Sequence, residues 1–307
     1  MSIFQKPLVS VIVITYNSQN TVLETLKSIK DQSYQDVELI ITDDYSRDNT
    51  VEICKEWLIQ NSSRFLNAEI LIADKNTGIP GNCNRGVKVA NGKWIKLIAG
   101  DDLLVAKCIE KNIKVAETAS NCQIFFSDMI SFDNIKKTSK NILIKPYYYK
   151  IWNNEMFAED QYKLLLNAFI GNAPTFFFNA EIFNIIDFDE HISFMEDYPF
   201  ALNATKAGFK FFYFDEVTVY YRCGNSSTNS SKFLFTDFYK KEESFRRKYI
   251  YSNIPKIVLR YYKFEYYRKK ILEKLMLNRK NIVTRIINKL TILLNPFRVS
   301  FRKASKF

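Results

Sequence analysis

Val9-Ser-Val-Ile-Val-Ile-Thr-Tyr-Asn17 is the stretch that decides how this chain folds. Its first six residues are almost unbroken apolar and mostly β-branched, and its last three are polar. A strand exposed on one face alternates apolar with polar residues. A run without alternation is what a strand buried on both faces requires. Similar runs recur at Val37-Glu-Leu-Ile-Ile-Thr42, Glu69-Ile-Leu-Ile-Ala73 and Trp94-Ile-Lys-Leu-Ile98. Helical spacing predicts helices over about 20–32, 49–60, 81–91 and 106–118, with Asp48 or Ser46 placed to cap the second. Strand, helix, strand at this spacing means βαβ units. The predicted class is α/β, with a mixed, mostly parallel sheet and helices on both faces.

Open α/β sheets bind ligands at the carboxyl ends of their strands. The first run ends in Thr15-Tyr16-Asn17, the second in Asp43-Asp44 and the fourth in Gly100-Asp101-Asp102. One acidic strand end is ordinary loop chemistry, whereas two Asp-Asp pairs at strand ends point to a crevice with work to do. Further on, Gln123-Ile-Phe-Phe-Ser127 and Lys210-Phe-Phe-Tyr-Phe214 read as strands. Phe194 to Gly208 reads as a helix entered at Glu196-Asp197, and Cys223 to Ser231 as a polar linker.

Composition excludes several classes. The 307 residues are 47% hydrophobic and 15% aromatic, enough for a substantial core. Five cysteines at wide spacing, with no CxxC, read as buried thiols in a reducing compartment. With His191 as the one histidine, neither a Cys/His zinc site nor a Ser-His-Asp triad is expected. No uncharged run is long and apolar enough to span a bilayer, and no signal peptide is evident. A cytoplasmic protein is the expectation.

The acidic residues suit one chemistry. A departing diphosphate needs its charge neutralised, and Mg²⁺ or Mn²⁺ held by one or two carboxylates does this with the phosphates completing the shell. Asp101-Asp102 could hold such an ion, or could be a polar loop capping the next helix. Asp43-Asp44 could accept from a base N–H or a ribose hydroxyl with Tyr16 stacking beside it, or could form a turn. Glu196-Asp197 could supply the carboxylate that takes a proton from an attacking hydroxyl, or could simply favour a helix N-terminus.

As an ordered set, Pro7 to Asn17, Asp43-Asp44-Tyr-Ser-Arg-Asp-Asn-Thr50, Asn76-Thr-Gly78, Asn84-Arg-Gly86, Gly92-Lys-Trp-Ile95, Gly100-Asp-Asp-Leu-Leu104, Phe188-Asp-Glu190, Glu196-Asp197 and Tyr221-Arg222 resemble the family 2 glycosyltransferases of the GT-A fold. The resemblance spans about residues 7–231. It implies a Rossmann-like GT-A domain over 1–231, with a nucleotide-binding half of about 1–120 and an acceptor half of about 121–231. It also implies inverting transfer of a sugar from a nucleotide-sugar, most often a UDP-sugar, to a hydroxyl of a glycan or lipid-linked acceptor in cell-surface polysaccharide synthesis. Thr15, Tyr16, Asn17, Asp43, Asp44 and Asn84 would then line the nucleotide pocket, with Asp44 on the base. Asp101 would contact ribose or sugar, Asp102 would chelate Mn²⁺ or Mg²⁺, and Arg222 would approach the phosphates. Asp197 would be the catalytic base, with Glu196 orienting the acceptor or sugar. Two departures stand out. Cys83 occupies a position where many members have Arg, and Tyr221-Arg-Cys-Gly-Asn-Ser-Ser227 lacks the histidine that many carry there. No Gln-x-x-Arg-Trp is present, so a processive synthase is not expected.

The remainder, 232–307, reads as a basic amphipathic helical extension. It carries 21 basic and 5 acidic residues, whereas the preceding 231 carry 23 and 28. Asn281 to Leu294 puts apolar residues on one helical face with Arg285 and Lys289 opposite. Such a segment suits an anionic membrane surface, here over residues 256–307, which would place the enzyme peripherally on the inner face of the cytoplasmic membrane. Packing on its own domain or forming a homodimer is the alternative. No nucleic acid is expected as partner, since the larger part of the chain is acidic and lacks a recognition motif. A nucleotide-sugar-binding protein without catalysis is the competing reading of the whole.

Overall fold

The computed structural model of the chain describes residues 6–119, 121–132, 141–223 and 236–275, together with 284, 286 and 290. The chain forms two compact units, Met1–Gly224 and Asn225–Phe307.

In the first unit the order is β1 (Val9–Thr15), α1 (Val22–Lys30), β2 (Val37–Asp43), α2 (Thr50–Asn61), β3 (Asn67–Ile72), α3 (Gly78–Val89), β4 (Trp94–Ala99), β5 (Leu103–Leu104), α4 (Cys108–Thr118), β6 (Ile124–Phe132), β7 (Ile142–Ile144), α5 (Ala158–Leu165), β8 (Phe177–Asn179), α6 (Asp197–Lys206) and β9 (Phe211–Arg222). Among the described residues one sheet runs β3-β2-β1-β4-β8-β6-β9-β5, with β7 paired to β6. β1, β2, β3 and β4 are mutually parallel. β8 is antiparallel to both β4 and β6, and β9 runs parallel to β6.

The first half follows the apolar runs directly. Every residue of β2 is buried, and β1 has one position that is not. Both are covered on two faces, as a parallel sheet requires. Register aligns Thr15 with Asp43 and Ile14 with Ala99, so the polar strand ends fall side by side. α3 lies close on the sheet because Gly86 has no Cβ. A Cβ there would sit inside contact distance of Ile12 Cγ2.

The second half was less legible. β6 and β9 extend well beyond the expected strands, and β5, β7, β8 and α5 were not expected at all. β8 is three residues long, and aromatic packing holds it: the Phe177 ring stacks on Trp94 at 5.2 Å. α6 starts at Asp197, at the Glu196-Asp197 entry read from the sequence. Pro199 then falls in the first helical turn, where its missing N–H costs no intrahelical bond. Of the two residues expected to cap α2, Asp48 reaches it, accepting from Thr50 N at 3.1 Å. Ser46 is committed elsewhere.

In the second unit α7 (Asp237–Tyr249) and α8 (Lys256–Lys274) pack antiparallel, with Lys240 paired to Glu273 at 3.0 Å and Arg246 over the Tyr262 ring at 5.2 Å. Thr236 caps α7 by accepting from Tyr239 N. Most of the expected linker and of the amphipathic segment Asn281 to Leu294 lies outside the described residues. Among the described residues no helix is long and apolar enough to cross a membrane.

Candidate active site

The ends of β1 and β2 are tied together by Asp43. It is fully buried and accepts from Thr15 Oγ1 at 2.9 Å, Ser46 N at 2.8 Å and Ser46 Oγ. Asn17 sits at φ +51, a left-handed conformation that asparagine tolerates. Its N–H donates to Ser46 Oγ and its Oδ1 accepts from Arg47 N, both at 2.8 Å. Asp43 therefore frames the crevice with its carboxylate engaged inside the protein, and Asn17 does so from an exposed position.

Asp44 is buried at the N-terminus of α3. Its carboxylate accepts from Thr77 N at 3.0 Å, Thr77 Oγ1 at 2.6 Å and Gly78 N at 2.8 Å, and pairs with Arg85 Nη2 at 3.2 Å. The positive end of the helix dipole favours a negative charge at this place. Arg85 also donates to Thr42 Oγ1, Asn82 Oδ1 and Thr77 Oγ1. Above this network opens a cavity of about 350 Å³ lined by Thr15, Tyr16, Asp44, Asn82, Gly100 and Asp101, among others. That volume lies at the small end of the range for nucleotide-sized ligands. Tyr16 is half exposed at its edge.

Asp101 and Asp102 diverge. Asp101 faces solvent and the larger cavity, while Asp102 is only 2% exposed. Asp102 Oδ1 accepts from Arg222 N at 2.8 Å. Burial pushes the Asp102 carboxyl well above the usual carboxylate range, and the adjoining charge of Asp101 adds to this. The Arg222 side chain folds back over the pair. Nε donates to Asp101 O at 2.6 Å, Nη2 pairs with Glu24 at 2.9 Å, and the guanidinium lies 4.6 Å from the Phe132 ring centroid. Nη1 is buried and has no hydrogen-bond partner among the described residues.

A second, narrow cavity brings Asp102 together with Glu196 and Asp197. Cys83, Ala173 and Pro174 also line it, and it shares Ile14 and Ala99 with the larger cavity. Glu196 sits at the N-cap position of α6 and Asp197 is its first residue; both are partly buried. Burial raises both carboxyls, and the charge of Asp197 raises Glu196 further. The Tyr198 N–H, donating to Asp197 Oδ1 at 2.7 Å, opposes the rise at Asp197. Paired carboxyls with raised pKa values in a cleft are a signature of proton-transfer sites.

Asn84 lines neither cavity. Its Nδ2 donates to Phe188 O and Glu190 Oε1, each at 2.9 Å, and its Oδ1 accepts from Phe188 N at 3.0 Å. It clamps α3 to the segment that leads into Glu196. Three neighbours of the site were given no role from the sequence. These are Arg85, which pairs with Asp44; Ser193, whose carbonyl accepts from Ile79 N; and Lys96. Lys96 is fully buried on β4 and donates to Pro174 O and Phe176 O, holding the turn that walls the narrow cavity. A lone lysine in a strand run gives no hint of partners nearly eighty residues away.

The sequence profile described as "Glycosyl transferase family 2" matches residues 10–184. The chain belongs to that family. Among its relatives this family 2 transferase is 27% identical over 229 residues to the uncharacterized glycosyltransferase MJ1057 of Methanocaldococcus jannaschii, covering 74% of each chain. It is 30% identical over 190 residues to the GalNAc(5)-diNAcBac-PP-undecaprenol beta-1,3-glucosyltransferase of Campylobacter jejuni, covering 56% of this chain and 59% of that one. Its fold is also that of S. aureus TarS 1-349 solved with UDP-GlcNAc, at TM-score 0.60 and 20% identity over 78% of this chain and 66% of that one. The chain thus spans less than two thirds of several of the proteins it matches.

Among the described residues of this transferase, no three His, Cys, Asp or Glu side chains converge on a metal position. The donors fit a different kind of site, in which one carboxylate holds an ion whose other ligands come from phosphates. Asp102 suits this, because Oδ1 is fixed by Arg222 N and no donor among the described residues reaches Oδ2. A cation beside Asp102 would also offset the cost of burying its charge.

Proposed function

We propose that the protein is an inverting, metal-dependent glycosyltransferase that moves a sugar from a nucleotide-sugar, foremost a UDP-sugar, to a hydroxyl of a glycan or lipid-linked acceptor in cell-surface polysaccharide synthesis. The observation that carries this reading is the narrow cavity shared by Asp102, Glu196 and Asp197 next to the larger cleft of Asp44 and Asp101. Donor and acceptor chemistry can meet there. The Campylobacter relative's lipid-linked substrate and the UDP-GlcNAc bound to TarS supply the acceptor and donor classes. The free cysteines support a reducing, cytoplasmic setting, at the inner face of the membrane where a lipid-linked acceptor would be presented.

In this reading the base rests by Tyr16 and takes a contact from Asp44, whose carboxylate is held by α3. Thr15, Asn17, Asp43 and Asn84 act by positioning, and Asp101 meets the ribose or sugar. The acceptor hydroxyl gives its proton to Asp197 while its oxygen bonds to the anomeric carbon from the face opposite the leaving group. The bond from that carbon to the diphosphate oxygen breaks, and the electron pair leaves with the nucleoside diphosphate. Glu196 orients the acceptor. Arg222, whose Nη1 has no partner among the described residues, would approach the diphosphate. Mn²⁺ or Mg²⁺ on Asp102 would neutralise charge on the departing diphosphate.

The test is nucleotide release from a panel of UDP-, GDP- and dTDP-sugars with Mn²⁺, with and without acceptor. Release from one donor, lost in Asp197→Asn, is expected. The competing reading is a nucleotide-sugar-binding protein without catalysis. It would be upheld by UDP binding with neither transfer nor donor hydrolysis.

A further inference from the structure

In the α7–α8 pair, charges and tyrosines pack alongside the buried apolar residues Phe245, Ile250 and Val258. Glu243 is buried and accepts from Tyr251 Oη at 2.7 Å, Arg247 lies over the Tyr266 ring, and Lys269 sits 3.6 Å from the Tyr239 ring centroid. Glu265 and Arg268 pair at 2.8 Å, each with its side chain 12% exposed. Val258 of α8 is buried, but several of its other apolar side chains are exposed. Ile257, Phe264, Tyr267 and Ile271 are each at least half exposed, as is Leu275 just past the helix end. Their spacing of seven, three, four and four residues keeps them on one stripe, about 27 Å long at 1.5 Å per residue.

Basic residues flank that stripe. Lys256, Arg260, Lys263, Lys270 and Lys274 are all exposed on the same side of α8. The acidic residues of this helix, Glu265 and Glu273, are not on that face, being paired with Arg268 and with Lys240 of α7. The result is a face with an apolar ridge, a rail of five positive charges and no negative one. Such a face is costly in water and complementary to a surface that is apolar below and anionic above. A second copy of the same face would set five positive charges against five, which argues against self-association through it. Polynucleotide would satisfy the lysines and leave Phe264 and Ile271 in water.

We propose that the exposed face of α8 docks on an anionic lipid bilayer surface, the helix lying in the interface with Ile257, Phe264 and Ile271 in the acyl boundary and the lysine rail among the headgroups. This anchorage would bring the enzyme to acceptors held in a membrane. It stands on α8 alone and does not depend on the donor or the transfer step.

The experiment is co-sedimentation of the full chain, without donor or acceptor, with vesicles of phosphatidylcholine alone or mixed with phosphatidylglycerol. Binding to the mixed vesicles, little to the neutral ones, and weakening as salt rises are expected. Lys263→Gln and Lys270→Gln should each weaken binding about fivefold. Phe264→Ser with Ile271→Ser should abolish it while donor hydrolysis and the far-UV circular dichroism stay unchanged. Absence of binding to mixed vesicles would overturn the proposal. So would equal binding by the Phe264/Ile271 variant. A concentration-dependent dimer, or an oligonucleotide complex, that those substitutions disrupt while vesicle binding is absent would overturn it in favour of that partner.

Discussion

The backbone N–H of Arg222 donates to Oδ1 of Asp102 at 2.8 Å, across 120 residues of chain. One bond thus joins the end of β9 to the loop after β4. The same arginine's Nε reaches Asp101 O, so backbone and side chain together lock the Asp-Asp turn. Asp102 thus lines the narrow cavity with Oδ1 fixed and Oδ2 meeting no donor among the described residues.

Asp102→Asn should keep the Arg222 bond, since the amide oxygen can still accept. Folding and nucleotide binding should survive, while turnover falls by at least about a hundredfold, as expected when a group stabilising a leaving diphosphate is lost. Steady-state nucleotide release, with a thermal melt as control, decides it. Full activity would remove Asp102 from the metal role.

The pH profile should carry the mark of Glu196 and Asp197. Both carboxyls are raised by burial, and the proposed base works only when deprotonated. So kcat/KM should rise with pH along a limb lying above the ordinary carboxylate range. The two groups titrate as a pair. Burial rather than the charge of Glu196 raises Asp197, so Glu196→Gln should leave the limb in place, and Asp197→Asn should flatten activity by roughly 10²–10⁴-fold. A limb at the ordinary carboxylate position would count against the pair.

Asp44→Asn should cost both affinity and stability. An amide brings one acceptor oxygen to Thr77 N, Gly78 N and Arg85, and removes the charge at the start of α3. A loss of about 1–3 kcal/mol in urea unfolding is expected, together with UDP binding weakened at least about tenfold by calorimetry. Wild-type UDP affinity would exclude Asp44 from the nucleotide site.

Gly86→Ala should destabilise by about 1–3 kcal/mol, because its methyl must displace Ile12 or lift α3 from the sheet. Gly208→Ala offers the contrast, since a Cβ there meets nothing, and its cost comes only from φ +95. Chemical denaturation of both variants separates crowding from backbone strain.

Lys96 links stability to alkaline pH. Burial pushes its pKa down to about 8, below the roughly 10.4 of an unfolded lysine. Between those values the unfolded chain binds more protons, so stability from this residue rises with pH through that window and is flat below it. Lys96→Met should lack the rise. Melting curves of both proteins from pH 7 to 10 should therefore converge or cross in one direction only, with the parent gaining on the variant.

The parallel half was readable because its information is local. Val9 to Ile14 and Val37 to Thr42 announce doubly covered strands, and the polar residues that follow them must fall at the crevice. What stayed hidden is non-local. β8 is three residues held by Trp94, and no periodicity can mark so short a segment. Arg85 and Lys96 owe their places to partners dozens of residues away. Asn84 was read as a nucleotide contact, yet its amide is spent on Phe188 and Glu190. In α8 most positions are aromatic or charged, so which face turns outward emerges only once α7 is in place.

Asn84 and Arg85 are consecutive residues of α3, yet one grips the segment leading to Glu196 and the other grips Asp44. Each residue of a helix advances the direction of its side chain by about 100°. Deleting or inserting one residue between Gly78 and Asn84 would swing both grips off their targets at once, while Gly86 would rotate out of its seat on Ile12. This helix can therefore drift in composition but not in length. Variation in the size of related chains should accumulate outside this helix and leave the spacing from Gly78 to Gly86 unchanged.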